Sequence, residues 1–311
     1  MSDPEKIRVA VLFGGRSVEH EISLLSATNV IQNLDRALFE VIPIGIDKQG
    51  GWFLGDDVFK KELSAPKLLK LQREANRLLF NPDLIGKAVH HLQPNQLLSQ
   101  TKNAQRIFDV VFPVIHGPLC EDGTVQGLLE LADIPYVGCG VLSSAVGMDK
   151  DVSKRLAQNA NISVPPFVAL KRGQWDQDVV GCCDLVNQEL RYPVFVKPAN
   201  TGSSVGVEKI KQSQALAAAI EHAFQYDTKV IIEQGIDAIE IEVAVLESSH
   251  YGTDPITSVA GEVRPSVAHE FYSYASKYLD ENGVELIIPA PISTDLQVKI
   301  RDVAKKIFIA L

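Results

Sequence analysis

The sequence predicts an α/β fold: a parallel-sheet, Rossmann-like N-terminal part followed by an α+β central and C-terminal region. Residues 7–13 read I-R-V-A-V-L-F and end in Gly14-Gly15, the pattern of a buried parallel strand meeting a tight turn. A helical pattern over 21–34 and a second strand pattern over 39–46 complete a β-α-β unit, whose crossover is expected to be right-handed. Beyond Pro165-Pro166, four strand-like segments surround one helical segment, as in an α+β layer.

The first helix carries Ile22, Leu25, Val30 and Leu34 at mostly three-to-five-residue spacing. Residues 50–105 are more polar and read as an insertion, with Trp52 and Phe53 in a hairpin and amphipathic stretches over 63–79. Strand character returns at 108–115, a helix is expected over 123–132, and Tyr136-Val137 makes a short strand. A helix over 148–160 carries Lys150 and Lys154, and the prolines at 165 and 166 mark a boundary because Pro restricts itself and its predecessor. Strands follow at 194–197, 205–210, 230–233 and 240–246, with a helix over 213–224. The last helix has a capping signal at Thr294 and Gln297 and runs to Leu311 without Gly or Pro, so further chain is expected past that residue. The expected domains are 1–140, 141–225 and 226–311, the last incomplete.

With 46% hydrophobic and 22% charged residues the chain has an ordinary globular composition. A net charge of -9 argues against a general nucleic-acid binder, which needs a surplus of Lys and Arg on some face. Residues 1–6 contain no apolar targeting segment, and the apolar runs fall short of the ~20 residues of a spanning helix, so a cytoplasmic protein without membrane contact is expected. The four cysteines, 120, 139, 182 and 183, lack C-x-x-C spacing and a nearby histidine pair, which disfavours a structural zinc site. Cys120 follows His116 closely enough to permit a Cys/His nucleophile, though buried free thiols are the plainer reading.

Four segments carry chemistry. Lys197-Pro198-Ala199-Asn200-Thr201-Gly202-Ser203-Ser204-Val205-Gly206 is a lysine at a strand end before a glycine- and serine-rich turn, whose N–H groups can approach phosphate oxygens closely. It is not a Walker A loop, where the lysine follows the glycines and a helix begins; an ordinary hairpin is the alternative. Gly14-Gly15-Arg16-Ser17-Val18-Glu19-His20-Glu21 offers helix-start N–H groups but lacks the third glycine of a dinucleotide fingerprint, and its acids suit an ammonium ligand or simply the helix dipole. His116-Gly117-Pro118-Leu119-Cys120-Glu121-Asp122-Gly123 puts a histidine and two acids on a loop after a strand, more plausibly for hydrogen bonding than for metal ligation. Residues 270–278 (E-F-Y-S-Y-A-S-K-Y) are aromatic yet polar, which suits a lid or an edge segment.

In this order and spacing, with Met148-Asp149-Lys150 between them, these segments resemble the D-alanine:D-alanine ligase family, of the ATP-grasp superfamily, over essentially the whole chain. The resemblance implies an ATP-dependent ligation of two D-alanine molecules through an acyl phosphate, for peptidoglycan precursor synthesis. It implies that Lys150 and Lys197 contact ATP phosphates under cover of Ser204 and the glycine turn, and that Glu233 and Glu240 meet the adenine amino group and the ribose. Glu19 would hold the ammonium of the first D-alanine and be linked through Ser203 to Tyr278, with His116 and Lys277 at the substrate. Magnesium or manganese would be required, with ligands expected past residue 311 and none assigned within the chain. A homodimer is expected from family habit. The alternatives are another ATP-grasp carboxylate-amine ligase, for example of the D-alanine:D-lactate type, and a truncated nucleotide-binding protein without catalysis.

Overall fold

The computed structural model describes residues 6–54, 107–250, 252–266, 280 and 283–311, together with the backbone of 76–80 and 89–91. The chain forms two compact units, Met1–Ala145 and Val146–Leu311.

The first unit is built on a sheet of β1 (Ile7–Gly14), β2 (Phe39–Ile46), β3 (Trp52–Leu54), β4 (Asn76–Phe80), β5 (Val89–His91) and β6 (Val110–Pro113), in the order β5-β4-β3-β2-β1-β6. Strand β1 runs parallel to both β2 and β6, as the β-α-β pattern predicts. Its side chains alternate between two cores: Ala10 and Leu12 pack with Ile44, Val111 and Leu129, while Val9, Val11 and Phe13 pack with Leu24 and Ala27. That two-sided burial is why the run is continuously apolar. Helix α1 (His20–Asn33) supplies Leu24 and Ala27 to one face, and α2 (Thr124–Leu131) supplies Val125 and Leu129 to the other. The segment read as an insertion instead extends the sheet, since β3, β4 and β5 pair antiparallel outward from β2. The β2–β3 turn is held by the Asp47 carboxylate, which accepts from the N–H groups of Gln49 and Gly51 at 2.9 and 2.7 Å. Tyr136 makes only an isolated parallel bridge to Val111. Helix α3 (Val141–Met148) lies at the junction of the units in sequence.

The second unit opens with α4 (Lys150–Asn159), capped by the Asp149 carboxylate on the N–H groups of Asp151 and Val152. Its main sheet contains β7 (Phe167–Lys171), β8 (Val194–Pro198), β9 (Glu208–Ile210) and β10 (Lys229–Gln234), wholly antiparallel in the order β7-β10-β8-β9. Helices α5 (Arg172–Gln177), α6 (Val179–Glu189) and α7 (Leu216–Ala223) cover one face, where Val194, Val196, Val230 and Ile232 meet Trp175, Val186, Leu216 and Ile220. The sequence reading missed β7, α5 and α6. Its strand over 205–210 shrinks to β9 because 203–206 form a turn.

The predicted strand 240–246 is broken in two. Here β11 (Glu240–Glu242) pairs with β14 (Gly261–Pro265), which pairs with β15 (Val284–Ile287), while β12 (Val245–Leu246) pairs separately with β13 (Ile256–Thr257). The final helix α8 (Thr294–Ala310) is capped by Ser293, whose Oγ accepts from the Leu296 N–H at 3.3 Å, not by Thr294 as expected. Arg301 ties it to β13 through a 2.7 Å bond to Thr257 Oγ1. Among the described residues no helix is long and apolar enough to cross a membrane.

Candidate functional site

In the first unit, the turn after β1 is forced by close approach. A Cβ on Gly14, at φ 88°, would run into the Ile46 carbonyl, and the Gly15 N–H donates to that same carbonyl at 2.8 Å. This places Glu19 at the start of α1, 3% exposed, with its N–H bonded to Ser17 Oγ at 3.1 Å. The loop after β6 closes over it, because a Cβ on Gly117 would collide with the Glu19 carboxylate. Glu21, the other acid of the motif, lies at the surface in a 2.5 Å pair with Lys48. The two acids are therefore different objects: one is built into the loop, the other decorates the helix.

His116 stands between Ser26, whose Oγ is 2.9 Å from its Nε2, and Glu121, whose Oε1 is 3.6 Å from its Nδ1. Asp122 accepts from the N–H groups of Leu119 and Thr124, so that acid shapes the loop into α2. Cys120 is buried, and burial together with Glu121 pushes its thiol up to about 12. Both causes disfavour a thiolate nucleophile there.

In the second unit, period-2 alternation puts Phe195 and Lys197 of β8 on the same sheet face as Ile231 and Glu233 of β10, opposite the helices. Glu233 is 8% exposed, and both of its oxygens are engaged: Oε2 accepts from Lys197 Nζ at 2.8 Å and Oε1 from Lys154 Nζ at 2.9 Å. Burial alone would raise its pKa, but the two lysines hold it below the ordinary carboxylate value. That rules out simple surface alternation along a strand as the account of Glu233. Lys150 points into the glycine turn, donating to the Thr201 and Ala199 carbonyls at 2.6 and 3.3 Å. Burial, reinforced by the charge of Lys197, lowers its pKa to about 8.

The turn itself is conformationally costly. Ser203, Ser204 and Gly206 have φ of 49°, 58° and 69°, a region that serine seldom occupies. Neighbouring Lys229 is neutralised by Asp149 at 2.5 Å and Asp151 at 3.5 Å. A cavity of about 790 Å³ opens beside the cluster, lined among others by Phe195, Lys209, Glu240, Glu262 and Arg264. Lys197 and Lys209 both sit over the Phe195 ring, at 5.4 and 5.8 Å from its centroid. Glu240 is exposed at the cavity's edge.

The structure thus brings Lys150, Lys197, Ser203, Ser204 and Glu233 to one sheet face and its turn, with Glu240 on the adjoining cavity. It describes Glu19 and His116 within the first unit. Tyr278 and Lys277, with the lid expected over 270–278, lie outside the described residues. Sequence reasoning noted Lys154 on its helix but left it out of the site; its spacing of one turn from Lys150 would have put both on one helical face. The Glu262–Arg264 pair at 2.8 Å in the cavity wall had no local signal. Among the described residues no group of three His, Cys, Asp or Glu side chains gathers to hold a metal.

Comparison with known families accounts for both units. The model for the D-ala D-ala ligase N-terminus matches residues 8–139, and that for the D-ala D-ala ligase C-terminus matches 156–311. The chain belongs to the D-alanine–D-alanine ligase family. It is similar to D-alanine–D-alanine ligase A of Bradyrhizobium diazoefficiens, 51% identical over 309 residues that span 99% of this chain and 80% of that protein. Among solved structures in the family's fold, the VanG D-Ala:D-Ser ligase from Enterococcus faecalis is 33% identical with a TM-score of 0.76, covering 98% of this chain and 83% of that one. The D-alanine-D-alanine ligase from Coxiella burnetii is 29% identical with a TM-score of 0.75, covering 99% and 78%. The fold of this ligase family is the ATP-grasp fold expected from the motifs.

Proposed function

We propose that this chain joins two D-alanine molecules into D-alanyl-D-alanine at the expense of ATP, supplying a precursor of peptidoglycan. The observation that carries this reading is the lysine cluster. Lys150 and Lys197 converge beside a glycine- and serine-rich turn, and among the described residues Glu233 is the carboxylate paired with both Lys197 and Lys154, in a chain whose named relatives are D-alanine ligases. Such an arrangement leaves positive charge for a polyanion.

In this reading the carboxylate of the first D-alanine attacks the γ-phosphorus, ADP departs, and a D-alanyl phosphate forms. The neutral amine of the second D-alanine then attacks the acyl carbon, and inorganic phosphate leaves from the tetrahedral intermediate. Lys150 and Lys197 hold the phosphates, and Ser204 with the turn's N–H groups covers them. Glu233 takes the adenine amino group, because each carboxylate oxygen retains a second lone pair beside its lysine. Glu240 takes the ribose from the cavity edge. Glu19 anchors the first ammonium, with Ser203 and Tyr278 linked to it, and His116 and Lys277 meet the substrate carboxylate. Magnesium or manganese belongs to this chemistry; among the described residues no group of three His, Cys, Asp or Glu side chains gathers to hold it, and no step here is assigned to it. The family habit further supports a cytoplasmic homodimer. The three-part division 1–140, 141–225 and 226–311 belongs to the same reading; β10, hydrogen-bonded between β7 and β8, ties residues 229–234 to the central sheet.

The test is phosphate release from ATP with magnesium in the presence of D-alanine, L-alanine or no amino acid, together with chromatography of the dipeptide. Release and dipeptide that depend on D-alanine are expected. Release indifferent to the amino acid, or D-lactate preferred as acceptor, would overturn the assignment.

A further inference from the structure

The turn after β8 needs an external support, because three of its four residues 203–206 have left-handed backbone angles and two of those are serines. That support comes from Tyr226 and Asp227, the third and fourth residues past the end of α7. Asp227 grips the near side of the turn: its Oδ2 accepts from the Asn200 N–H at 2.7 Å and from the Asn200 side-chain amide at 2.9 Å. Its other oxygen accepts from the Lys229 N–H at 3.2 Å, which ties the grip to the start of β10.

Tyr226 presses on the far side of the turn. A Cβ on Gly206 would lie 2.6 Å from the tyrosine ring and 2.9 Å from Pro198 Cγ, so the ring is seated directly on the glycine's α-carbon. The tyrosine is itself held. His222, one helical turn earlier, meets it edge-on with ring centroids 5.4 Å apart and lies 3.4 Å from its hydroxyl. His222 Nδ1 reaches Glu208 Oε1 at 2.5 Å, on the strand into which the turn leads.

We propose that Tyr226 and Asp227 are positioning residues of the phosphate-binding turn, bracing it at Gly206 and Asn200 so that Ser204 and the turn's N–H groups meet the triphosphate in a fixed geometry. The inference rests on the assignment of residues 197–206 to the nucleotide phosphates. It goes beyond that assignment in locating, outside the turn, the residues that determine its shape. Both residues act on the turn, at Asn200 and Gly206, so the loss on removing them falls on the phosphates and spares the nucleoside.

Equilibrium binding of AMP-PNP with magnesium, and separately of adenosine, tests this on the protein and its Tyr226→Ala, Tyr226→Phe, Asp227→Ala and Lys197→Met variants. Tyr226 is 44% exposed, so its truncation removes little core, and circular dichroism verifies the fold of each variant. Tyr226→Ala and Asp227→Ala are each expected to weaken AMP-PNP roughly tenfold, the size of one charged hydrogen bond, with adenosine affinity unchanged. Tyr226→Phe keeps the ring on Gly206 and is expected to bind like the parent. If Lys197→Met weakens AMP-PNP while both brace variants bind it like the parent, or lose adenosine equally, the brace is overturned and the phosphate assignment stands. If Lys197→Met also binds AMP-PNP like the parent, the phosphate assignment fails and the brace fails with it.

Discussion

Glu19 and Glu233 are nearly equally buried, yet the two units accommodate them by opposite means. Glu19 sits at a helix start in a cage of small groups, with Ser17 on its N–H and Gly117 packed so closely that a methyl group would strike its carboxylate. Glu233 sits on a strand between two ammonium groups, with Lys150 held nearby in the glycine turn. A carboxylate in a tight glycine-walled niche suits one small cation, such as an amino acid's ammonium. A carboxylate shared between lysines leaves a net positive patch, which suits a polyphosphate. The difference shows that burial alone does not tell what a charged group is for; the company it keeps does.

The contrast predicts that damage at either buried glutamate's cluster stays with one substrate. Lys197→Met is expected to raise the KM for ATP and lower kcat/KM for ATP by about 100-fold, as loss of a charged donor to a transferring phosphoryl group does, while the KM for D-alanine holds. A rise confined to the D-alanine KM would reverse the assignment of the two clusters. Glu19→Gln is expected to do the converse, weakening the first D-alanine by roughly tenfold to 100-fold with the ATP KM unchanged, because only the charge on the ammonium's partner is removed. Initial rates over a grid of both substrates separate the two.

Lys154→Gln is expected to raise the ATP KM by roughly tenfold, since Glu233 then falls entirely to Lys197 and neutralises it. Lys154→Arg should restore most of the affinity, and equal damage in both variants would mean that the charge is not what matters.

Lys150 makes the second cluster sensitive to alkali. Its ammonium form predominates below a pKa of about 8 and is lost as the pH rises through that value, so affinity for ATP is expected to decline across that range. Lys150→Arg, which stays charged, should flatten the profile. The effect on stability has the other sign. Burial disfavours the charged form in the fold, so the unfolded chain binds this proton more tightly, and the nucleotide-free protein gains stability from about pH 8 up to the ordinary lysine value. The smallest effect belongs to Glu21→Gln, which removes a half-exposed pair with Lys48 and should change unfolding free energy by less than about 0.5 kcal/mol, with kinetics intact.

The strongest elements of the fold were legible because their causes are local. The run 7–13, the glycines after it and the helix beyond encode a buried strand that pairs parallel with the next, within forty-odd residues. The lysine before a glycine-serine turn was visible for the same reason, as was the glutamate two residues past Ser17. What escaped was β7 with α5 and α6, where strand and helix follow each other with short spacing, and the split of 240–246 into strands of two different sheets. The polar stretch 50–105 looked like an insertion because strands at a sheet's edge need less apolar character than β1.

By itself, then, the sequence determined the family, the parallel core of the first unit and which residue types would stand at the turns. Only the tertiary structure decided which charges meet. The Lys197–Glu233 pairing depends on antiparallel register between strands 36 positions apart, the entry of Lys154 on a helix laid over that sheet face, and the bracing of the turn on residues beyond α7. Register and helix packing are set by how the buried faces fit together, and no local window of sequence carries that information.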